Sequence, residues 1–119
     1  MEHAVARRFL LSFRGTEPPP DLLQHLARAP IGGVTLYRSL NVADAGQVAA
    51  LTARLQQASL EPLLIGADQE GGQLMALGED TTAFPGNLAL GAAGSAELAC
   101  EVGGSSRRAC TLSAIASMC

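Results

Sequence analysis

The sequence contains no lysine and no tryptophan, and it has only one tyrosine and three phenylalanines, so aromatic residues make up 3% of the chain. The core must therefore be built from leucine, valine, isoleucine and alanine. The eight arginines are scattered along the chain, and the formal net charge is −3. Because no basic stripe is present, the sequence does not indicate a nucleic-acid partner.

No apolar run approaches the length of a membrane span, so we expect no membrane partner. The apolar stretch Phe9–Phe13 is too short for the apolar region of a signal peptide, and Arg14 follows it directly. The cysteines at positions 100, 110 and 119 match no zinc-binding pattern, so we expect no metal site and no cofactor. A cytoplasmic protein with free thiols is the simplest interpretation.

The 119 residues are 48% hydrophobic and 16% charged, which is typical of one small globular domain. Short apolar runs alternate with amphipathic stretches, and this predicts strands near residues 8–13, 33–37 and 63–67 with a helix between each pair. Asp44 with Gln47 forms a capping box for the second helix, and Ser95 is an N-cap for a third.

Right-handed crossovers would make the three strands parallel, with both intervening helices on one face of the sheet. The sequence thus predicts an α/β fold. Its spacing alone does not separate a (β/α) barrel from an open doubly wound sheet. The glycine fingerprint of dinucleotide sites is missing after the first strand, which counts against a Rossmann domain.

The uncharged run Leu63–Ala67 ends directly in Asp68, Gln69, Glu70 and a glycine pair. This profile is typical of a buried parallel strand, and ligands bind at the carboxyl ends of such strands. Asp68 is the candidate binding residue, because a carboxylate there can accept hydrogen bonds from a ligand's hydroxyls. Gly71 and Gly72 would let the backbone approach a ligand closely. The alternative is that Asp68 simply solvates a loop, and residue chemistry leaves both open.

With this stretch and three others, the chain resembles the N-terminal domain of the family 3 glycoside hydrolases, in particular the bacterial β-N-acetylhexosaminidases. The resemblance covers about residues 8 to 103 and is carried by four segments: Phe13–Glu17, Pro30–Tyr37, Pro62–Gly72 and Phe84–Ala92. It implies a TIM-type (β/α)8 barrel, of which this chain would be an N-terminal fragment with about three parallel strands.

The resemblance also implies retaining hydrolysis of a terminal β-linked sugar, often N-acetylglucosamine from cell-wall fragments, by the intact family member. It implies that Asp68 binds the carbohydrate substrate and is not the nucleophile. Relatives take the nucleophilic aspartate from a much later strand, and the acid/base histidine and aspartate from a later loop. This sequence contains neither region, so we expect no catalytic residue in it and no activity of the chain alone.

Two departures from the relatives are visible. Many relatives carry arginines one and four residues after the glycine pair, where this chain has Gln73 and Ala76; this leaves β-glucosidase-type specificity open. Residues 104–119 match nothing in the relatives' helix and fourth strand. We therefore predict a partial barrel domain over 1–103 and a non-matching end over 104–119, for which a shifted reading frame is our hypothesis. A truncated remnant or non-catalytic interaction fragment is the alternative to a segment of an enzyme.

The remaining reactive side chains are assigned structural roles. We expect Glu70 to pair with an arginine or backbone amides, His25 to lie at a surface or groove, and Cys100 to be a small core residue. The acids at 79 and 80 are interpreted as a solvated loop. Glu17 and Arg38 follow the first two strands, so we expect them to open on the same side of the sheet as Asp68.

Overall fold

A computed structural model describes residues 2–78, 81–112 and 116–118, and the side chains of 4–78 and 81–108. The loop predicted at residues 79 and 80 lies outside the described residues. The elements are, in chain order, α1 Glu2–Ala6, β1 Leu10–Leu11, α2 Pro20–Leu26, β2 Gly33–Leu36, α3 Arg38–Asn41, α4 Ala45–Ala58, β3 Leu64–Gly71, β4 Leu74–Met75, α5 Asn87–Ala93, α6 Ala96–Leu112 and β5 Ala116–Met118.

The described strands form one mixed sheet with β3 near its centre. β1 pairs in parallel with β2, and β2 pairs in parallel with β3, so the prediction of three parallel strands is confirmed. β5 pairs in parallel with β3 on the side opposite β2. The last part of β3 instead pairs with β4 in an antiparallel hairpin. Parallel and antiparallel pairing therefore meet within a single strand.

The hydrophobic core lies between one face of this sheet and helices α2 and α4. Leu26 of α2 is fully buried, and so are three residues of α4 that recur at helical spacing, Val48, Leu51 and Leu55. These side chains pack against β2 and β3, which confirms the predicted packing of both helices on a common face. The opposite face is open, and Leu10 and Leu64 remain 45% and 47% exposed on it.

The two predicted helix starts are confirmed by their hydrogen bonds. Asp44 Oδ1 accepts the N–H of Gln47 at 2.8 Å, and Gln47 Oε1 accepts the N–H of Ala43 at 2.9 Å. Ser95 Oγ accepts the N–H of Leu98 at 3.1 Å at the start of α6. Each side chain supplies an acceptor to a backbone N–H that has no partner within the helix.

The structure adds four details to the predicted order of elements. α2 ends at Leu26, and Arg38–Asn41 forms a short helix directly after β2. α6 runs through the glycines at 103 and 104 to Leu112, because a glycine costs a helix only about 1 kcal/mol and does not bar it. Ala116–Met118 then pairs with β3, which therefore has parallel partners in both β2 and β5.

Candidate substrate-binding site

Asp68 lies where β3 changes from parallel to antiparallel pairing. The last register pair with β2 is Leu36 with Ala67, and the last with β5 is Asp68 with Met118. The carbonyl oxygen of Asp68 accepts the N–H of Ala76 at 3.0 Å. Asp68 is therefore at the carboxyl end of the parallel sheet, as predicted, with its backbone held by neighbouring strands.

The Asp68 carboxylate projects from the open face of the sheet. Side chains alternate between the two faces of a strand, and Ala67, the preceding residue, is 1% exposed against the helices. The Asp68 side chain is half-buried and has no hydrogen bond or ion pair with another described residue. Its oxygens are thus available to accept hydrogen bonds from a ligand.

The glycine pair brings two segments of the chain together rather than admitting a ligand. Gly71 and Gly72 have φ values of +80° and +58°, and a Cβ atom at Gly71 would lie 2.7 Å from the carbonyl oxygen of Pro85. The N–H of Gly72 donates to the carbonyl oxygen of Phe84 at 2.8 Å. The close approach predicted for a ligand is therefore made by the chain's own Phe84–Pro85 backbone, and glycine is needed there because any side chain would collide.

Two clefts flank this hairpin. A wide one of about 510 Å3 lies between residues 70–74 and 86–89, and a narrower one of about 200 Å3 lies between β3, α5 and α6. Glu70 lines both clefts and is exposed. Its side chain forms no ion pair or hydrogen bond with a described residue, so the expected pairing with an arginine or backbone amides is wrong. Asp68 lines neither of these clefts.

Arg38 reaches the hairpin that follows Asp68, whereas Glu17 does not. Arg38 Nη1 donates to the carbonyl oxygen of Met75 at 3.2 Å, and its guanidinium lies against Gly78, where a Cβ atom would be 3.3 Å from Nη1. The Glu17 carboxylate instead accepts a hydrogen bond from Arg54 of α4 at 3.0 Å. The structure thus turns Glu17 toward the helical layer.

Two buried amides that support this end of the sheet escaped the sequence analysis. Asn41 is fully buried, and Gln69, which is 4% exposed, accepts the N–H of Leu77 at 3.0 Å and donates to Thr81 Oγ1 at 3.2 Å. For Gln69, the alternation of side chains along β3 could have predicted its burial. Asp68 and Glu70 lie on the open face, so Gln69 between them lies on the face covered by the helices.

The other reactive side chains lie away from this end of the sheet. His25 is exposed in α2, and Cys100 is exposed in α6, so the expectation that Cys100 is a core residue is wrong. Within the described ranges, no group of three histidine, cysteine, aspartate or glutamate side chains could hold a metal ion. The helices of those same ranges are also too short or too polar to cross a membrane.

Comparison with known proteins decides the family. The model of the glycosyl hydrolase family 3 N-terminal domain matches residues 11–115. The chain belongs to this family. The predicted α/β fold, a part of a TIM-type barrel, is confirmed, and the family match extends past residue 103. The assignment of residues 104–119 to a shifted frame stays a prediction.

Curated relatives are β-hexosaminidases. The chain is 39% identical over 83 residues to β-hexosaminidase A of Pseudoalteromonas piscicida, covering 65% of this chain and 14% of that protein. It is 37% identical over 83 residues to a β-hexosaminidase of Thiobacillus denitrificans, covering 70% of this chain and 23% of that protein.

Two solved structures share the fold and some sequence. The family 3 β-N-acetylglucosaminidase from Paenibacillus sp. str. FPU-7 superposes on all of this chain and on 23% of its own, with a TM-score of 0.91 and 35% identity. NagZ from Neisseria gonorrhoeae, in complex with N-trifluoroacetyl-D-glucosamine, covers 62% of this chain and 22% of its own, with a TM-score of 0.56 and 28% identity. The chain therefore spans less than a quarter of the length of these relatives.

Proposed function

We propose that this chain supplies the substrate-binding part of the barrel in a retaining β-N-acetylhexosaminidase, which removes a terminal β-linked N-acetylhexosamine. The identities of 35% and 39% to a β-N-acetylglucosaminidase and a β-hexosaminidase support this activity. The observation that carries the proposal is the position of Asp68, whose carboxylate has no partner among the described residues and lies at the carboxyl end of the parallel strands. The cytoplasmic location stays a prediction.

Asp68 binds the sugar by accepting hydrogen bonds from its hydroxyl groups. An ionised carboxylate is an acceptor only, so it suits a ligand that presents several O–H donors. A hydrogen bond to a charged group contributes about 1.5–3 kcal/mol. Loss of one or two such bonds would therefore weaken transition-state binding by at least about tenfold.

The groups that break the glycosidic bond come from outside this segment. A retaining glycosidase needs a nucleophile and an acid/base group on opposite sides of the scissile bond, about 5 Å apart when both are carboxylates. Asp68 and Glu70 lie two residues apart on one strand, and Glu70 lines two clefts that Asp68 does not line. This pair does not enclose a sugar, so we propose that the 119-residue chain alone is inactive.

The test transfers this chain into an active relative. Residues 1–119 replace the matching segment of the Paenibacillus β-N-acetylglucosaminidase, which superposes on the whole chain; we call this protein the grafted enzyme. It should hydrolyse 4-nitrophenyl N-acetyl-β-D-glucosaminide, and Asp68→Ala should lower kcat/KM by about tenfold or more. Asp21→Ala, which removes an exposed carboxylate from the first turn of α2, is the matched control and should leave kcat/KM unchanged.

Unchanged kcat/KM in the Asp68→Ala variant would show that Asp68 is not a ligand. Faster turnover of the corresponding β-glucoside would favour β-glucosidase-type specificity instead. A structural observation keeps this second candidate open: Ala76, where many relatives have an arginine, is buried and donates its N–H to Asp68. Turnover by residues 1–119 alone, abolished by Asp68→Ala, would contradict the proposed inactivity of the chain.

A further inference from the structure

The chain's single tyrosine lies beside Asp68 on the open face of the sheet. Leu36 and Ala67 are register partners, and both are buried against the helices at 0% and 1% exposure. Tyr37 and Asp68 follow them, and Tyr37 has extended φ and ψ values of −118° and 136°. Because the extended backbone of Tyr37 continues β2 by one residue, alternation directs both side chains to the opposite face of the sheet, where neighbouring strands lie about 4.8 Å apart.

The backbone of Tyr37 is fixed by a buried amide. Asn41 Oδ1 accepts the N–H of Tyr37 at 2.9 Å. Asn41 Nδ2 donates to the carbonyl oxygens of Phe13 and Gly15 at 3.0 and 3.1 Å, which ties the end of β2 to the segment that follows β1. The Tyr37 side chain remains 41% exposed and has no hydrogen-bond partner among the described residues.

We propose that the Tyr37 ring is a second sugar contact, which stacks against the C–H face of the pyranose whose hydroxyl groups bind Asp68. This inference rests on the proposed function, because it names a further residue of the same site. A sugar ring presents apolar C–H groups on its faces and hydroxyl groups around its edge. An exposed aromatic face next to a carboxylate complements both, and ligand sites combine these two kinds of group.

Three other described side chains do not offer the same contact. Glu17 is paired with Arg54 of α4, and Arg38 donates to the carbonyl of Met75. Leu64, the large apolar residue of β3 on the open face, lies at the amino end of the strand, four residues before Asp68. Among the described side chains, Tyr37 therefore provides the apolar surface next to the Asp68 carboxylate.

The composition of the chain provides a direct measurement. Because the sequence has one tyrosine and no tryptophan, the ultraviolet emission of the 119-residue chain reports Tyr37 alone. Titration with N-acetylglucosamine should change this emission saturably, and Asp68→Ala should abolish the change. Leu64→Ala, which removes a similarly exposed apolar side chain from the same face, should leave it intact. Calorimetry on the same samples gives the dissociation constant for N-acetylglucosamine without relying on the emission of the Tyr37 ring.

The grafted enzyme provides the second measurement. Tyr37→Ala should raise KM and the dissociation constant for N-acetylglucosamine about tenfold, whereas Tyr37→Phe, which keeps the ring, should stay within about threefold of the parent. Leu64→Ala should change neither constant. A merely structural role for Tyr37 would lower thermal stability with KM unchanged, and that result would overturn the inference.

The outcomes separate this inference from the proposed function. Turnover that depends on Asp68, together with identical KM values for Tyr37→Ala and the parent, would overturn the role of Tyr37 alone. An inactive grafted enzyme that still binds N-acetylglucosamine about tenfold more weakly after Tyr37→Ala would overturn the proposed activity and support the contact. Absence of any sugar binding to either protein would overturn the inference as well.

Discussion

Replacing Asn41 with alanine should be among the most destabilising single changes in this segment. Asn41 is fully buried, and its side-chain amide makes three hydrogen bonds to backbone groups from two parts of the chain. The Asn41→Ala substitution removes one acceptor and both donors at once. It leaves the N–H of Tyr37 and the carbonyl oxygens of Phe13 and Gly15 without these partners in a partly buried region.

The expected magnitude follows from those three groups. A buried polar group that loses its hydrogen-bond partner costs about 1–3 kcal/mol, and the lower end applies where water can partly reach it. At about 1 kcal/mol for each group, Asn41→Ala should lower the free energy of unfolding by about 3 kcal/mol. This is a large part of a stability margin that is typically about 5–15 kcal/mol for a domain.

The assay is equilibrium urea denaturation of the grafted enzyme and its variants. A lower midpoint with an unchanged slope measures a change in stability rather than in the compactness of the unfolded state. Asn87→Ala is the matched control, since Asn87 is an exposed asparagine at the start of α5. Exposed substitutions of this kind usually change stability by less than about 0.5 kcal/mol.

The comparison between the two asparagines can refute the reasoning. If Asn41→Ala and Asn87→Ala shifted the midpoint equally, the three hydrogen bonds of Asn41 would contribute nothing to stability. Asn41→Asp adds a second check, because it keeps an acceptor for Tyr37 but places a carboxylate against two carbonyl oxygens. It should therefore be destabilising too, and more so at pH 7 than at a pH low enough to protonate the carboxylate.

Two further changes test the hairpin and the last helix. Gly71→Ala should lower the free energy of unfolding by more than the roughly 1–2 kcal/mol cost of a positive φ, because the added Cβ would also collide with Pro85. Gly91→Ala is the control, since a Cβ atom added there meets no other atom within 4 Å. It should be neutral or stabilising in the same urea titration. Ser95→Ala should cost about 1 kcal/mol as a lost cap. The pKa of Glu97 is lowered by its own backbone N–H and by the Ser95 hydroxyl, so NMR titration should show that Ser95→Ala raises it. In the parent, the contribution of Glu97 is present above its unfolded pKa and is lost as the pH falls through the lower folded pKa.

The parallel strands and the helices between them could be predicted because local signals agreed with the tertiary structure. Val48, Leu51 and Leu55 recur at helical spacing and all face the sheet. Asp44 and Ser95 cap helices through bonds to residues only three positions away. Each of these features depends on a short stretch of chain, so the sequence displays it directly.

The parts that escaped prediction depend on contacts between distant residues. Gly71 was expected to admit a ligand, because nothing in its neighbourhood reveals that Phe84 and Pro85 pack against it. Asn41 bonds to residues 26 and 28 positions earlier, and no local pattern indicates such a partner.

The same long-range contacts explain how the sequence fixes the proposed sugar-binding carboxylate. Asp68 pairs with β5, the preceding residue Ala67 pairs with β2, and the carbonyl of Asp68 accepts the N–H of Ala76 from the returning hairpin. The hairpin is secured in turn by Gly72, which donates to Phe84. Because the backbone is already ordered on every side, binding a ligand costs little further conformational entropy. The affinity of such a site is therefore sensitive to substitutions that loosen the hairpin without touching the sugar, and Gly71 is the position where that sensitivity should be greatest.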